Sequence, residues 1–196
     1  MSNEKQNIIR SFIALPISEE LRLKISEIQE SLRPFSGEIK WEPVEKLHLT
    51  LKFLGNSTVS QLDQINVLLS EKITQTYLLE LCAGGLGGFP SINSARVLWM
   101  GVRLTDELNT VFKEVENAAK ICGFEKEARA FHSHITVGRN KQIKLNPILI
   151  ERIKKVTFEP IVFNCSKLHI MKSFLKKTGS EYSIVHTINF KQISGV

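Results

Sequence analysis

Two short stretches of the sequence decide the fold, His48-Leu-Thr-Leu-Lys-Phe-Leu-Gly55 and His134-Ile-Thr-Val-Gly138. Successive side chains of a β-strand point to opposite faces, so the pattern predicts that His48 and Thr50 share one face while apolar residues fill the other. The second stretch repeats the same arrangement. Packing against helices explains the apolar face, but a core does not require histidine and threonine on the opposite one. We therefore expect both polar pairs to face one shared space.

Outward from these stretches, the chain alternates between strand and helix patterns. Apolar residues recur every three to four positions after Ser18, from Val59 and from about Thr105, which predicts three helices. Asn146 followed by proline predicts a fourth helix that ends near Lys155. Alternation predicts strands over 8–15, 39–41, 47–54, 77–83, 95–103 and 130–138, and further strands over 156–190 joined by a turn at 177–179.

The glycine-rich segment 84–90 has no Gly-Lys-Ser/Thr ending and runs into a proline, so it predicts a flexible connection and not a phosphate-binding loop. The order strand, helix, strand, strand, helix, strand occurs once and roughly recurs, which indicates an α+β fold with an internal duplication. We expect two pseudo-symmetric lobes, one from each half of the chain. Each lobe would be a mainly antiparallel sheet flanked by helices, and a central cleft would lie between them. With 196 residues, of which 42% are hydrophobic, we expect 1–196 to form a single bilobal domain.

The charge is concentrated in the last third of the chain. The whole sequence carries 26 − 20 = +6, whereas residues 139–196 alone carry 11 − 3 = +8. Asp63 and Asp106 are the two aspartates of the chain, so a carboxylate-built metal site is hard to assemble. A site made of His48, His132 and His134 would lack a carboxylate or cysteine in these motifs. We therefore expect no metal and no cofactor.

The N-terminus has no apolar signal core, and no apolar run approaches the roughly 20 residues that a membrane span needs. Cys82, Cys122 and Cys165 are widely spaced among apolar neighbours, as is typical of thiols in a reducing compartment. These features predict a cytoplasmic protein without a membrane partner. We expect it to be a monomer.

Paired histidines and threonines across a cleft suit one type of chemistry. One imidazole can accept a proton from water while the other donates a proton to a leaving oxygen, and the hydroxyls can hydrogen-bond phosphate oxygens. This predicts metal-free phosphodiester chemistry. Arg139 is out of phase with His134 in a regular strand, but a bulge at Gly138 would turn its guanidinium toward the anion. An exposed arginine at a strand end is the alternative interpretation.

At these residues the chain resembles the 2H phosphoesterase superfamily, and within it the RNA 2′,3′-cyclic phosphodiesterases, historically called 2′-5′ RNA ligases. The resemblance covers nearly the whole chain, and either motif alone is weak whereas the ordered set is specific. One departure is Ser133, where the family often has proline before the second histidine. The matching segments are 10–16, 47–55, 96–101, 129–139 and 168–182.

The resemblance implies the 2H phosphoesterase fold and hydrolysis of a terminal 2′,3′-cyclic phosphate on RNA to a 2′-phosphate. It implies that His48 is the general acid on the departing 3′ oxygen and His134 the base for water. Thr50, Thr136 and Arg139 would hold the phosphate. The symmetry of the two motifs does not decide which histidine is the acid and which is the base. In the reverse direction the roles exchange, which would give weak 2′-5′ RNA ligase activity.

Further basic residues could line a path for the RNA backbone. Lys52 and Arg129 would lie close to the site, and Lys172 and Lys176 near the last turn together with Lys177. Lysines at a hairpin also keep edge strands soluble, which is the alternative. His132 shares the face of the second histidine in a regular strand, so it would line the cleft and orient its neighbours.

Aromatic residues offer surfaces on which a terminal base can stack. Trp41, Phe53, Phe131 and Phe174 are candidates, although packing in the core explains each of them as well, and Phe53 lies on the apolar face of its strand.

Two other functions stay open from the sequence. The same chemistry would serve a small cyclic nucleotide or a 2′-5′-linked oligonucleotide, and a non-catalytic RNA-binding module would keep the cleft without turnover. The partner that we expect is RNA with a 2′,3′-cyclic phosphate end, either tRNA-like or a short oligonucleotide.

Overall fold

The computed structural model describes residues 8–37, 39–73, 78–142, 144–176 and 179–191. The strands and helices follow the order that the sequence predicts. They are β1 (Ile9–Pro16), α1 (Glu19–Leu32), β2 (Ile39–Trp41), β3 (His48–Ser57), α2 (Val59–Ile73), β4 (Leu79–Phe89), β5 (Val97–Val102), α3 (Asp106–Ile121), β6 (His134–Asn140), α4 (Pro147–Lys155), β7 (Ile161–Cys165), β8 (Lys167–Lys176) and β9 (Gly179–Asn189). Most of the turn predicted at 177–179 lies outside the described residues, as does the first residue of the strand predicted at 77–83.

Polar caps set the start of three helices. The side chains of Ser18 and Thr105 each accept a hydrogen bond of 3.2 Å from a backbone N–H in the first turn, and Asn146 accepts one of 3.0 Å. These contacts satisfy N–H groups that have no partner inside a helix. Gly123, at φ +88°, follows the end of α3. Among the described helices, none is long and apolar enough to cross a membrane.

All nine described strands join one antiparallel sheet, in the order β7-β4-β5-β6-β3-β1-β8-β9, with β2 also paired to β6. At the centre of this order, β3 and β6 share a single pair, Leu49 opposite Ile135. The sheet therefore consists of two parts that meet at one point. We call β7, β4, β5, β6 and β2 the His134 half-sheet, and β3, β1, β8 and β9 the His48 half-sheet. The predicted α+β class with antiparallel sheets is confirmed.

Helices α1 and α4 cover the His134 half-sheet, and α2 and α3 cover the His48 half-sheet. Ile25 of α1 and Ile153 of α4 border the same apolar space as Leu98 and Val137 of the His134 half-sheet. Helices α2 and α3 pack on each other, with α2 against β9 and α3 against β3. Each half-sheet thus draws elements from both ends of the chain. The predicted two-lobed fold is confirmed, although the lobes do not correspond to the two halves of the chain, because neighbouring strands come from distant parts of the sequence.

The glycine-rich segment is not a flexible connection. Strand β4 continues through it to Phe89 and pairs with β5, and Gly87 lies opposite Trp99. A Cβ atom at Gly87 would come within 2.2 Å of the Trp99 ring. The glycine is therefore needed so that the indole can lie across the neighbouring strand. Sequence patterns did not reveal this, because the requirement arises from a residue on another strand.

We predict that Gly87→Ala destabilises the protein by about 1–3 kcal/mol, the usual cost of overpacking, because the indole must move. Gly84→Ala is the matched control on the same strand, since its Cβ meets only Pro160, at 3.3 Å. Urea unfolding of both variants measures the difference. Equal stabilities of the two variants would contradict this explanation of the glycine segment.

Candidate active site

Four polar side chains surround the single pair that joins the half-sheets. Antiparallel pairing of Leu49 with Ile135 places His48 across from Thr136, and Thr50 across from His134. All four polar side chains are half-buried, while Leu49 and Ile135 are fully buried on the opposite face. The predicted convergence of the two motifs is therefore present in the structure.

Each histidine is held by the same backbone contact. The Nδ1 atom of His48 lies 2.6 Å from the carbonyl oxygen of Lys46, and Nδ1 of His134 lies 2.6 Å from that of His132. A carbonyl oxygen only accepts, so each Nδ1 donates its proton and Nε2 is the nitrogen left for proton transfer. His132 thus orients its neighbour through its backbone carbonyl, while contact of its exposed side chain with RNA stays a prediction.

Different aromatic rings support the two imidazoles. On His48, Phe12 stacks at a centroid distance of 4.9 Å and Tyr182 makes an edge contact at 5.6 Å. Phe89 makes an edge contact with His134 at 5.0 Å, and Trp99 lies 6.3 Å away. Both imidazoles are therefore fixed by packing as well as by hydrogen bonds.

Burial lowers the pKa of both imidazoles below the ordinary histidine value of about 6.5. The charged neighbours differ. At His48, the hydrogen bond to the Lys46 carbonyl and the Glu42 carboxylate oppose the effect of burial and raise the pKa, while Arg22 and Arg139 lower it. At His134, the hydrogen bond to the His132 carbonyl raises the pKa, while the His132 imidazole and Arg139 lower it. The carboxylate among these neighbours, Glu42, thus stands beside His48 and not beside His134.

Both motif strands contain a bulge at the same place. The pairing of β3 with β1 skips Leu51, and the pairing of β6 with β5 skips Val137. In each strand the following residue turns to the buried side and the one after it becomes exposed. Arg139 is therefore exposed on the face of His134, as predicted, although the bulge is centred one residue before Gly138.

Glu42 holds Arg139 and is a site residue that the sequence did not reveal. The Nε atom of Arg139 donates to Oε1 of Glu42 at 3.0 Å. The backbone of Glu42 is itself anchored, since its N–H donates to the carbonyl of Val137 and its carbonyl accepts from the buried amide of Gln29 at 2.9 Å. The same amide also donates to Val137. No sequence motif links these residues, because the contact joins distant segments.

The bulge in β3 overturns two expectations. Lys52 does not face the cleft: its side chain is buried, 2.8 Å from the Glu116 carboxylate, and it also donates to the carbonyl of Glu125 at 2.9 Å. Phe53, expected in the core, is 70% exposed. Both predictions were wrong for one reason, since they assumed regular alternation through Leu51. Lys52 instead ties β3 to α3 and to the segment that leads to β6.

The expectation that Lys172 and Lys176 line a path for the RNA backbone beside the site is also wrong. Ser173 pairs with Tyr182, which contacts His48, so Lys172 and Lys176 fall on the opposite face of the strand. Lys176 forms an ion pair of 2.6 Å with Glu181. Lys177 lies outside the described residues. Arg129 is exposed in the segment between α3 and β6, and its role stays a prediction.

The other aromatic candidates differ in their surroundings. Trp41 is buried and its Nε1 donates to Ser36, so it belongs to the core. Phe174 lies under Lys172, away from the cleft. Phe131 is half-buried and lines a groove together with His132 and Ser133.

Ser133 stands directly before His134, and its side chain is fixed in place. Its hydroxyl is buried and donates to the carbonyl of Val102 at 2.5 Å. The strand entry is thus held by a hydrogen bond. Within the part of the chain that the structure describes, no three His, Cys, Asp or Glu side chains are grouped as metal ligands.

Comparison with known sequences identifies relatives over most of the chain. Residues 15–174 match the family model described as the 2′-5′ RNA ligase superfamily. An RNA 2′,3′-cyclic phosphodiesterase of Thermotoga maritima is 32% identical over 93% of this chain and 96% of its own length. One of Methanocaldococcus jannaschii is 33% identical over 90% of this chain and 98% of its own length.

Comparison with solved structures supports the fold. A crystal structure of Escherichia coli LigT with 3′-AMP has a TM-score of 0.75 and 21% identity, and the match covers 95% of this chain and 100% of that one. A structure from Thermus thermophilus has the same TM-score of 0.75 at 22% identity, over 94% of this chain and all of the other. At these identities the likeness concerns the fold alone.

We predict that Lys52→Met destabilises the protein by about 3–5 kcal/mol, because it leaves the buried Glu116 carboxylate without a counter-charge. Lys24→Met is the control, since Lys24 pairs with Glu27 on the surface and should cost less than about 1 kcal/mol. Chemical denaturation of both variants provides the comparison. If Lys52→Met is no more destabilising than Lys24→Met, the buried pair does not hold this region together.

Proposed function

Because the chain belongs to the 2′-5′ RNA ligase superfamily, we propose that it hydrolyses the 2′,3′-cyclic phosphate at the end of an RNA to a 2′-phosphate. The observation that carries this proposal is the pair of imidazoles around the Leu49–Ile135 bridge, each with Nδ1 bound to a carbonyl. This arrangement supports two Nε2 atoms acting on one phosphate. The names of the relatives supply the substrate class.

In the proposed reaction, His134 takes a proton from the attacking water through Nε2. The new bond forms at phosphorus as the bond to the 3′ oxygen breaks. His48 donates its Nε2 proton to that oxygen, which leaves the phosphate on the 2′ oxygen. Thr50 and Thr136 hydrogen-bond the phosphate oxygens, and the guanidinium of Arg139 stabilises the charge that develops on them.

The assignment of acid and base rests on the resemblance and on the surrounding charges. Glu42 favours the protonated form of His48, against burial, Arg22 and Arg139, whereas no carboxylate is among the causes that shift the pKa of His134. An acid must begin protonated and a base must begin neutral, so this carboxylate supports His48 as the acid. Attack on the cyclic phosphate by an RNA 5′-hydroxyl in place of water, with the 3′ oxygen again leaving, would give weak 2′-5′ RNA ligase activity. A cytoplasmic monomer that acts on RNA without a metal remains our expectation.

The direct test is an assay of an oligoribonucleotide with a 2′,3′-cyclic phosphate end, in the presence of EDTA. Formation of a 2′-phosphate end supports the proposal, and turnover in EDTA supports catalysis without a metal. Binding without turnover would instead indicate an RNA-binding module. Turnover of a mononucleoside cyclic phosphate but not of the oligonucleotide would indicate a small-molecule phosphodiesterase.

We predict that His48→Ala and His134→Ala each lower kcat by about 10²- to 10⁴-fold, the contribution of a positioned acid or base. His186→Ala is the control, because this imidazole pairs with Asp63 away from the cleft. Initial rates on the cyclic-phosphate oligonucleotide, with circular dichroism to verify folding, provide the measurement. Rates near that of the wild type for either cleft variant would rule out the assigned roles.

The pH dependence follows from the two lowered pKa values. One imidazole must be protonated and the other neutral, so kcat/KM should rise through the lower pKa and fall through the higher one. Both pKa values are lowered by burial, which places the maximum on the acid side of about 6.5. A kcat/KM that is flat between pH 5 and about 8, the range of histidine titration, would contradict paired acid–base catalysis.

We predict that Glu42→Gln raises KM about tenfold, because about 1.4 kcal/mol of charge-assisted hydrogen bonding to Arg139 is lost. Loss of the carboxylate also lowers the pKa of His48, so the alkaline limb of the kcat/KM profile should move to lower pH. Glu45→Gln, at an exposed neighbouring position, is the control. A KM that falls would mean that Glu42 competes with the substrate for Arg139 and does not position it.

A further inference from the structure

A row of paired residues leads from the first motif to another histidine on the same face of the sheet. Thr50 of β3 pairs with Ala14 of β1, which pairs in turn with His169 of β8. His169 pairs with Thr187 of β9. Side chains of directly paired residues lie on one face, so His169 stands on the cleft face, as Thr50 does. Two strand spacings, about 10 Å, separate the backbones of Thr50 and His169.

Lys167, His169 and Thr187 form a basic cluster on this face, which we call the β8 cluster. Nδ1 of His169 lies 3.0 Å from Oγ1 of Thr187. Lys167 shares the face of His169, because it precedes it by two residues where β8 and β9 pair without a bulge. Lys167 and Thr187 are exposed and His169 is half-buried. All three side chains are therefore accessible to a ligand in the cleft.

The β8 cluster presents hydrogen-bond donors with either tautomer of a neutral imidazole. If Thr187 donates to Nδ1, the Nε2–H of His169 can donate to a ligand. If Nδ1–H donates to Thr187, the hydroxyl of Thr187 can donate to the ligand instead. The ammonium of Lys167 adds further donors and a positive charge. These groups match an anion with several acceptor oxygens, such as a phosphodiester.

No acidic side chain on the surrounding strands opposes an anion at this place. Glu181 is the one carboxylate within the described strands β1, β3, β8 and β9, and it lies on the face opposite to Tyr182, which contacts His48. Burial and then the charge of Lys167 lower the pKa of His169, and no carboxylate contributes to that shift. The electrostatic surroundings of the β8 cluster are therefore those of an anion site.

The surface between the β8 cluster and the active site is short and uncharged. Strand β1 contributes Pro16, opposite His48, and Ala14, opposite Thr50. Neither carries a charge or a hydrogen-bonding side chain. A ligand that begins at the motif residues of β3 therefore meets its next polar contacts at the β8 cluster.

The position of the β8 cluster indicates which phosphodiester it holds. This step rests on the proposed function, in which His48 protonates the leaving 3′ oxygen of the terminal nucleoside. The β8 cluster lies two strands beyond His48 and Thr50 on that side of the cleft, a gap that one nucleoside spans. We propose that Lys167, His169 and Thr187 bind the phosphodiester on the 5′ side of the terminal nucleoside. An RNA chain is then a better substrate than a mononucleotide.

The experiment compares two substrates that differ by one phosphodiester. The first is a nucleoside 2′,3′-cyclic phosphate, and the second is a dinucleotide that ends in the same cyclic phosphate and carries one internal phosphodiester. We expect kcat/KM for hydrolysis to be higher with the dinucleotide. A dinucleotide with an uncharged methylphosphonate at the internal linkage keeps both nucleosides but not the anion, so it should lose this advantage.

Lys167→Gln and His169→Gln test the β8 cluster directly. Each should lower the ratio of kcat/KM on the dinucleotide to kcat/KM on the mononucleotide by about threefold to tenfold, the loss expected for one hydrogen bond. Lys172→Gln and His186→Gln are the matched controls. Lys172 lies on the opposite face of β8, and His186 pairs with Asp63 away from the cleft. We expect both controls to keep the wild-type ratio.

The salt dependence provides an independent measurement. A lysine that binds a phosphate displaces counterions from the RNA, so kcat/KM on the dinucleotide should fall as salt is added. In Lys167→Gln the slope of log kcat/KM against log salt concentration should be shallower by about 0.7, the value for one contact on a single strand. Lys172→Gln should keep the slope of the wild type.

Three outcomes would overturn the inference. Equal kcat/KM of the wild type on the mononucleotide and the dinucleotide would show that no internal phosphodiester is bound. A parallel loss on both substrates in folded Lys167→Gln or His169→Gln would show that the cluster supports the active site instead. Wild-type ratios in both variants, or equal losses in the controls, would place the contact elsewhere. Absence of hydrolysis of either cyclic phosphate by the wild type would count against the proposed function itself.

Discussion

The pairing of Leu49 with Ile135 is the constraint on which the rest of the structure depends. It is the one pair recorded between β3 and β6 in the described chain, and both side chains are fully buried. On either side of this pair the strands separate, which opens the cleft. A slip of one residue in either strand would turn the histidine of that strand toward the core and bring its apolar residues into the cleft. Burial of the two apolar side chains therefore fixes the geometry of the polar ones.

The bulges in β3 and β6 determine which further side chains of these strands lie on the cleft face. In each motif strand, side chains alternate between the two faces for the first four residues, and the fifth is buried as well because of the bulge. The next side chain on the face of the histidine and threonine is therefore that of the sixth residue. In β6 that residue is Arg139, and in β3 it is Phe53. Two equivalent backbone positions thus present a guanidinium on one side and an exposed phenyl ring on the other. The backbone conformation is repeated in the two strands, but the side chain at this position differs.

The sequence predicts those features that depend on neighbouring residues and misses those that depend on pairing with another strand. Alternation predicts the cleft positions of His48 and His134, and cap residues predict the helix starts, because both depend on neighbours in sequence. Lys52 was misplaced because a bulge depends on pairing with another strand. Lys172 was misplaced because the face of β8 is fixed by its register with β1 and β9. The glycine segment was misread because only the Trp99 ring on β5 explains it.

The proposed reaction needs two imidazoles in different surroundings. A symmetric pair of imidazoles in equal surroundings would share one pKa and would have no fixed acid or base. Here the backbone contacts of the two rings are equal, whereas their burial, their ring contacts and their charged neighbours differ. Glu42 raises the pKa of His48, and its backbone is held by Gln29 at the bulge that also delivers Arg139. One buried amide on α1 therefore positions a carboxylate that contacts Arg139 and acts on the pKa of His48.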